Sequence, residues 1–202
     1  MVNNSKDPEI RIEEIRFIAK QIKVFFCDSD GVMFPNTVLM GAPYRAKLRS
    51  YYDGQGISLL RAIGIRVVFI TNEKGESTQV LRDTVEKLNS LASSKPQKAD
   101  GWEPIMLYEG RGGTHKLDTA KEYLEGYPGV TLEQCAFMGD DLVDAPLLKA
   151  VGLSAAPYSA EKIIKDTVMF VTERNGGEGA IRDFANMIMQ SRNIDPFDLP
   201  PQ

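Results

Sequence analysis

Short apolar runs that stop abruptly on polar or acidic residues alternate along this chain with stretches of helical spacing. Ile15, Ile18 and Ile22 recur at helical intervals with Glu13, Glu14 and Lys20 between them, which predicts a helix over residues 9–22. Lys23 to Cys27 (KVFFC) is an aromatic-rich run ending at acidic residues and Gly31, the pattern of a buried parallel strand. Residues 37–52 hold two β-compatible stretches, TVLM and LRSYY, around a Gly-Ala-Pro turn, which predicts a projecting hairpin. A helix over 56–63, a strand over 66–70 (RVVFI) and a helix over 77–88 capped by Ser77 follow. Further strands are predicted at 105–108, 135–138, 153–155 and 168–171, with helices near 115–125, 142–149 and 178–190. Strand, polar end, helix is the repeating unit, so the fold class is α/β, a doubly wound Rossmann-like, mostly parallel sheet with a projecting β-hairpin. Residues 89–103 read as a polar surface insertion. The tail after Asn193, with three prolines, reads as extended, and residues 1–8 and 193–202 as flexible ends of a single domain spanning 1–202.

Composition narrows the setting. At 202 residues with 43% hydrophobic content the chain suits one domain with a packed core. A net charge of -4 disfavours nucleic acid as the main partner. No apolar run approaches the roughly 20 residues that span a bilayer, and MVNNSKDPEI lacks the basic-then-apolar order of a secretory signal, so a cytoplasmic protein without a membrane partner is expected. Cys27 and Cys135 end apolar segments, where a buried thiol is the expected state rather than a disulfide or metal ligand.

The candidate chemistry collects at strand ends, where doubly wound sheets bind ligands. Asp28-Ser29-Asp30-Gly31 places two carboxylates just past the first strand; alone, this would read as an acidic turn. Gly139-Asp140-Asp141, with Asp144 beyond, brings further acids to the same sheet edge, and together they offer the oxygen ligands of Mg²⁺. Clustered carboxylates need a fixed cation as well, which Lys116 supplies near the start of a helix. Thr71 adds a hydroxyl, and the backbone N–H groups after it add donors for phosphoryl oxygens. The expected reaction is in-line attack by Asp28 on phosphorus, with Asp30 as acid and then base. His115 faces elsewhere on its helix, and Gly176-Gly177-Glu178-Gly179 lacks the lysine and hydroxyl of a P-loop and reads as a turn.

The order D-x-D-G-V (Asp28 to Val32), Thr71, Lys116 and G-D-D-L-V-D (Gly139 to Asp144) resembles the haloacid dehalogenase superfamily of phosphatases. Within it the chain is similar to the capless phosphatases of 3-deoxy-D-manno-octulosonate 8-phosphate and of nine-carbon sugar-acid 9-phosphates such as 2-keto-3-deoxy-nononate 9-phosphate. That group includes domains attached to some acylneuraminate cytidylyltransferases. D-G-Q-G-I (Asp53 to Ile57) and R-N-G-G-E-G-A-I-R-D-F (Arg174 to Phe184) carry the closer match. The resemblance implies a sugar-acid phosphatase in which Asp28 and Asp140 bind Mg²⁺ through side chains and Asp30 through its carbonyl, with Asp141 and Asp144 in support. It also implies a homotetramer in which the hairpin near 37–52 and the tail after Arg182 cover a neighbour's open site. About forty residues separate the first motif from the second and the second from the third, too few for a cap domain.

Two departures bear on the substrate. Thr71-Asn72-Glu73-Lys74 stands where octulosonate phosphatases usually have Thr-Gly-Arg, and Tyr52 where an arginine commonly precedes Asp-Gly. Glu73 resembles the residue of the nononate and sialate-linked enzymes, so Asn72, Glu73 and Asp53 are the candidate sugar contacts; Glu73 as a first-turn helix residue and Asp53 as a turn residue are the bland alternatives. A non-catalytic assembly module partnering a cytidylyltransferase is the competing function, against which stand the intact Asp28, Asp30, Lys116 and Asp140. A phosphoryl-transfer mutase would need a cap to exclude water.

Overall fold

The computed structural model describes residues 8–41, 44–91 and 102–199. Six strands form one all-parallel sheet: β1 (Val24–Cys27), β4 (Arg66–Ile70), β5 (Met106–Tyr108), β6 (Cys135–Met138), β7 (Leu153–Ala156) and β8 (Phe170–Val171), in the order β5-β4-β1-β6-β7-β8. The chain winds outward from β1 to β5, then crosses back to β6 on the other side of β1. The reversal of strand order therefore lies between β1 and β6, paired with Cys27 opposite Met138. This is the doubly wound α/β sheet expected.

Both faces are covered, which is why the strands are continuous apolar runs. Phe25 and Cys27 point to a core shared with α1 (Pro8–Ala19), α2 (Tyr51–Ala62), α3 (Gln79–Ser90) and α7 (Ala180–Ser191). Val24 and Phe26 point to a second core under α4 (Thr114–Glu125), α5 (Ala145–Leu148) and α6 (Lys162–Lys165). The Phe25 and Phe184 rings stack at 4.7 Å, fixing α7 over the central strand. A two-stranded antiparallel hairpin, β2 (Leu39–Gly41) and β3 (Tyr44–Ala46), stands apart from the main sheet. Among the described residues no helix is long and apolar enough to cross a membrane.

Several boundaries differ from the sequence expectation. Tyr51 and Tyr52 are helical rather than part of the hairpin, because the Ser50 hydroxyl accepts the Tyr52 N–H at 3.1 Å and starts α2 five residues earlier than expected. Ser77 sits inside a 3₁₀ turn over Gly75–Thr78, and Thr78 takes the N-cap position of α3. Val168 stays out of β8, since its N–H is held by the Ile164 carbonyl at 3.0 Å at the end of the unexpected α6. The segment expected helical over 142–149 divides into a 3₁₀ turn (Leu142–Asp144) and α5. In the tail, a 3₁₀ turn spans Pro196–Asp198, with Asp195 accepting the Phe197 N–H. Residues 92–101 of the expected insertion, 1–7 and 200–202 lie outside the described residues.

The D-G-Q-G-I segment is a packing device. Gly56 faces the α7 backbone so closely that a Cβ there would meet the Arg182 Cα at 2.9 Å. Asp53 is fully buried and accepts the backbone N–H groups of Gly179 (2.9 Å) and Ile181 (2.8 Å), closing the N-terminus of α7 from the neighbouring helix. Burial lifts its carboxyl to about 6 despite these donors. Asp53 does not line the cleft described below, which corrects the expectation of a sugar contact. Asp53→Asn, which sets an amide N–H₂ against a backbone N–H, is expected to destabilise by about 1–3 kcal/mol, read as a lower urea midpoint at unchanged m-value. Unchanged stability with a raised KM would return Asp53 to the substrate.

Candidate active site

Four polar chain segments meet where the strand order reverses. Asp28 directly follows β1, and its N–H still bonds the Met138 carbonyl at 3.1 Å, so the pairing that aligns β1 with β6 also sets the backbone of Asp28. Gly31 turns the chain at φ +87, and a Cβ at this position would run into the Asp140 carboxylate. The glycine of D-x-D-G is thus required twice, for conformation and for the approach of the second acidic loop.

Lys116, in the first turn of α4, is 1% exposed. Its Nζ lies 2.8 Å from Asp28 Oδ1 and 2.5 Å from Asp144 Oδ1. Asp28 Oδ1 also accepts the Ser29 N–H at 2.8 Å. Asp144 is fully buried, and its Oδ2 accepts the N–H groups of Asp140 (2.9 Å) and Asp141 (3.2 Å), while Asp141 caps the same turn through the Leu142 N–H. Asp144 is therefore engaged on both oxygens and supports the loop that carries Asp140. Thr71, 2% exposed at the end of β4, accepts the Glu73 N–H at 3.1 Å, and backbone bonds from Arg111 to Thr71 and from Gly110 to Glu73 join this loop to the one before α4.

These groups line a cleft of ≈ 160 Å³. Asp28, Asp30, Thr71, Asn72, Glu73, Lys116, Asp140 and Asp141 all reach it, so the structure brings together every expected site residue except Asp53 and the supporting Asp144 beneath. His115 is exposed and outside the cleft. Two residues were missed: Asn36, whose amide donates to Asp140 Oδ2 at 3.2 Å, and Lys47, which pairs with Asp30 at 2.5 Å. Neither belongs to a spaced motif: the loop wound from Ser29 to Phe34 brings in Asn36, and the return of the hairpin brings in Lys47.

Electrostatics follow from burial. Desolvation pushes Asp28 up to about 7, with Lys116 opposing the rise and Asp144 adding to it. Desolvation and the charges of Asp28, Asp144 and Asp141 push Asp140 to about 8. Burial alone would lower Lys116, but Asp28 and Asp144 outweigh it and hold the ammonium above its usual value. One lysine does not neutralise this many carboxylates. Asp28, Asp140 and Asp144 each offer an oxygen within 4.8 Å of the others, and with Asp144 already engaged, Asp28 and Asp140 form the face open to a cation. An all-oxygen anionic donor set fits a hard divalent ion. Cys27 and Cys135 are free, buried thiols that contribute nothing to it.

Residues 10–184 match the haloacid dehalogenase-like hydrolases, and the chain belongs to this family. Within the family it falls among the phosphatases, phosphoric monoester hydrolases, as its similar proteins do. It is 32% identical over 180 residues to the 3-deoxy-D-manno-octulosonate 8-phosphate phosphatase of Yersinia pestis, covering 87% of this chain and 83% of that one. A crystal structure of that phosphatase from Yersinia pestis superposes with TM-score 0.76 at 29% identity, over 90% of this chain and 88% of the other. The cobalt-bound deoxy-D-mannose-octulosonate 8-phosphate phosphatase of Haemophilus influenzae gives TM-score 0.70 at 28% identity, over 87% and 92%.

The pH dependence of cation binding has a definite sign. Both carboxyls sit above the unfolded value near 3.9, so the cation-free folded state holds extra protons, a stabilisation present at low pH and lost as pH rises through about 7 for Asp28 and about 8 for Asp140. A divalent cation competes with those protons. The Mg²⁺-induced rise in Tm is therefore expected to be larger near pH ~8 than near pH ~6. An equal rise at both would contradict these shifts.

Proposed function

We propose that this chain is a Mg²⁺-dependent phosphatase that removes the terminal phosphate of a 3-deoxy-2-ulosonic sugar acid through an aspartyl-phosphate on Asp28. It acts as a single cytoplasmic domain without a cap. The observation that carries the reading is the Asp28 carboxylate, buried, opening on the cleft and 2.8 Å from a buried Lys116.

The chemistry divides one hydrolysis into two displacements. A carboxylate oxygen of Asp28 bonds to phosphorus as the bond to the sugar oxygen breaks, and Asp30 gives that oxygen its proton. Water then attacks phosphorus, Asp30 takes the water's proton, and phosphate leaves Asp28. Lys116 offsets the charge of the nucleophile, while the Thr71 hydroxyl and the N–H groups after it hold the non-bridging oxygens. Asp28, Asp140 and the Asp30 carbonyl, with Asp141 and Asp144 in support, would hold Mg²⁺, which would supply the positive charge that an anionic phosphate needs in an acidic cleft.

The relatives' names support octulosonate 8-phosphate as substrate. A nine-carbon 9-phosphate is the second reading, favoured by Glu73 and Asn72 at the cleft, where a carboxylate accepts hydrogen bonds from sugar hydroxyls. A cleft of ≈ 160 Å³ suits the phosphate end of either, with the sugar extending over the rim. A homotetramer would cover that rim, and the exposed Val38, Leu39, Leu48, Tyr51 and Tyr52 along the hairpin and the start of α2 support it.

The test is kcat/KM with Mg²⁺ on the eight-carbon 8-phosphate and a nine-carbon 9-phosphate side by side. At least one is expected to be turned over efficiently, EDTA to abolish turnover, and Asp28→Asn to lower it by roughly 10³-fold or more. Equal, feeble rates on both would reject the sugar-acid reading; full activity of Asp28→Asn would reject the nucleophile.

A further inference from the structure

Asp30 sits in a tightly wound loop. The Met33 and Phe34 N–H groups both bond the Ser29 carbonyl (2.9 and 3.0 Å), the Gly31 N–H bonds the Phe34 carbonyl (2.9 Å), and Asp30 forms a β-bridge to Phe34. These bonds fix the backbone of Asp30 but leave its side-chain torsions open. The carboxylate is held by a residue from elsewhere. Lys47, immediately after β3, donates to Asp30 Oδ1 at 2.5 Å, with its ammonium 5.4 Å from the centre of the Phe34 ring. The Lys47 side chain is 8% exposed, and a cation so far withdrawn from water needs a fixed counter-charge. Asp30 Oδ2, by contrast, is buried without a hydrogen-bond partner among the described residues. An oxygen shut off from solvent and without a partner is costly, so the pairing at Oδ1 is what holds the carboxylate in place.

We infer that Lys47 is the positioning residue of the acid–base group: by engaging Oδ1 it fixes the Asp30 carboxyl at the cleft, in the orientation from which it exchanges protons with the leaving group and with water. Lys47 does not line the cleft, so it acts through Asp30 rather than on the substrate. In the first step the O–H bond of the Asp30 carboxyl breaks and its proton passes to the departing oxygen as that oxygen's bond to phosphorus breaks. In the second step the Asp30 carboxylate takes a proton from the water whose oxygen bonds to phosphorus, and the Asp28–phosphorus bond breaks. The hairpin thereby acquires a part in the chemistry, because the residue closing its second strand sets the orientation of Asp30. The alternative is a purely structural pin holding the hairpin to the loop. The two differ in what they do to leaving groups.

The inference rests on the phosphatase reading, and its test separates the two. Wild type, K47M, K47Q and K47R are compared with Mg²⁺ on p-nitrophenyl phosphate, whose leaving group departs unaided, and phenyl phosphate, whose poorer leaving group needs a proton. In K47M and K47Q, kcat/KM is expected to fall about tenfold further for phenyl than for p-nitrophenyl phosphate, and K47R to restore most of the difference. A loss of the same size on both esters, or no loss, overturns the positioning role. No turnover of either ester by wild type would defeat the phosphatase reading, and the inference with it.

Discussion

The site is organised around one buried ammonium. Lys116 bridges Asp28 and Asp144 in a place from which water is almost excluded, and removing it would leave two carboxylates unpaired in the interior. The pairing fixes several elements at once. It holds the first turn of α4 against the sheet edge and ties the loop after β6 to the loop after β1. It also orients the nucleophile. A lysine in the first turn of a helix sits at the unfavourable end of the dipole, so its presence there is explained by the carboxylates it serves. Asp144 meets the remaining obligation by accepting the N–H groups of Asp140 and Asp141, which shapes the loop that presents Asp140.

Topology does the rest. Strand order reverses between β1 and β6, so the loops following these strands diverge to opposite sides and leave a cleft between them. Asp28 and Asp140 flank it, β4 adds Thr71 from one side, the loop after Gly31 adds Asn36, and the end of the hairpin brings Lys47 onto Asp30. Negative charge accumulates in this cleft beyond what Lys116 balances, and the raised carboxyls of Asp28 and Asp140 register the excess. A divalent cation and a phosphate, opposite in charge, resolve it together.

Much of this was legible in the sequence because the signals were local. Apolar runs ending in acids marked β1 and β6, and the spacing of Asp28, Thr71, Lys116 and Asp140 matched the order in which parallel strands reach one edge. Long-range contacts were not legible. Asp53 read as either a turn residue or a sugar contact, yet its carboxylate closes α7, 126 residues away in sequence. The Tyr51-Tyr52 pair has β propensity that the Ser50 cap overrides. Lys47 is an unremarkable basic residue until the hairpin folds back and sets it on Asp30.

The claim on which the account turns is that Asp28 carries the phosphoryl group. The direct measurement is to acid-quench the Mg²⁺ enzyme during turnover, reduce with borohydride and sequence the peptide containing residues 24–34. Reduction of an acyl phosphate converts the aspartate to homoserine, and homoserine is expected at position 28 alone, dependent on substrate. Unmodified Asp28 throughout turnover, or homoserine at position 30 or 140 instead, would contradict it.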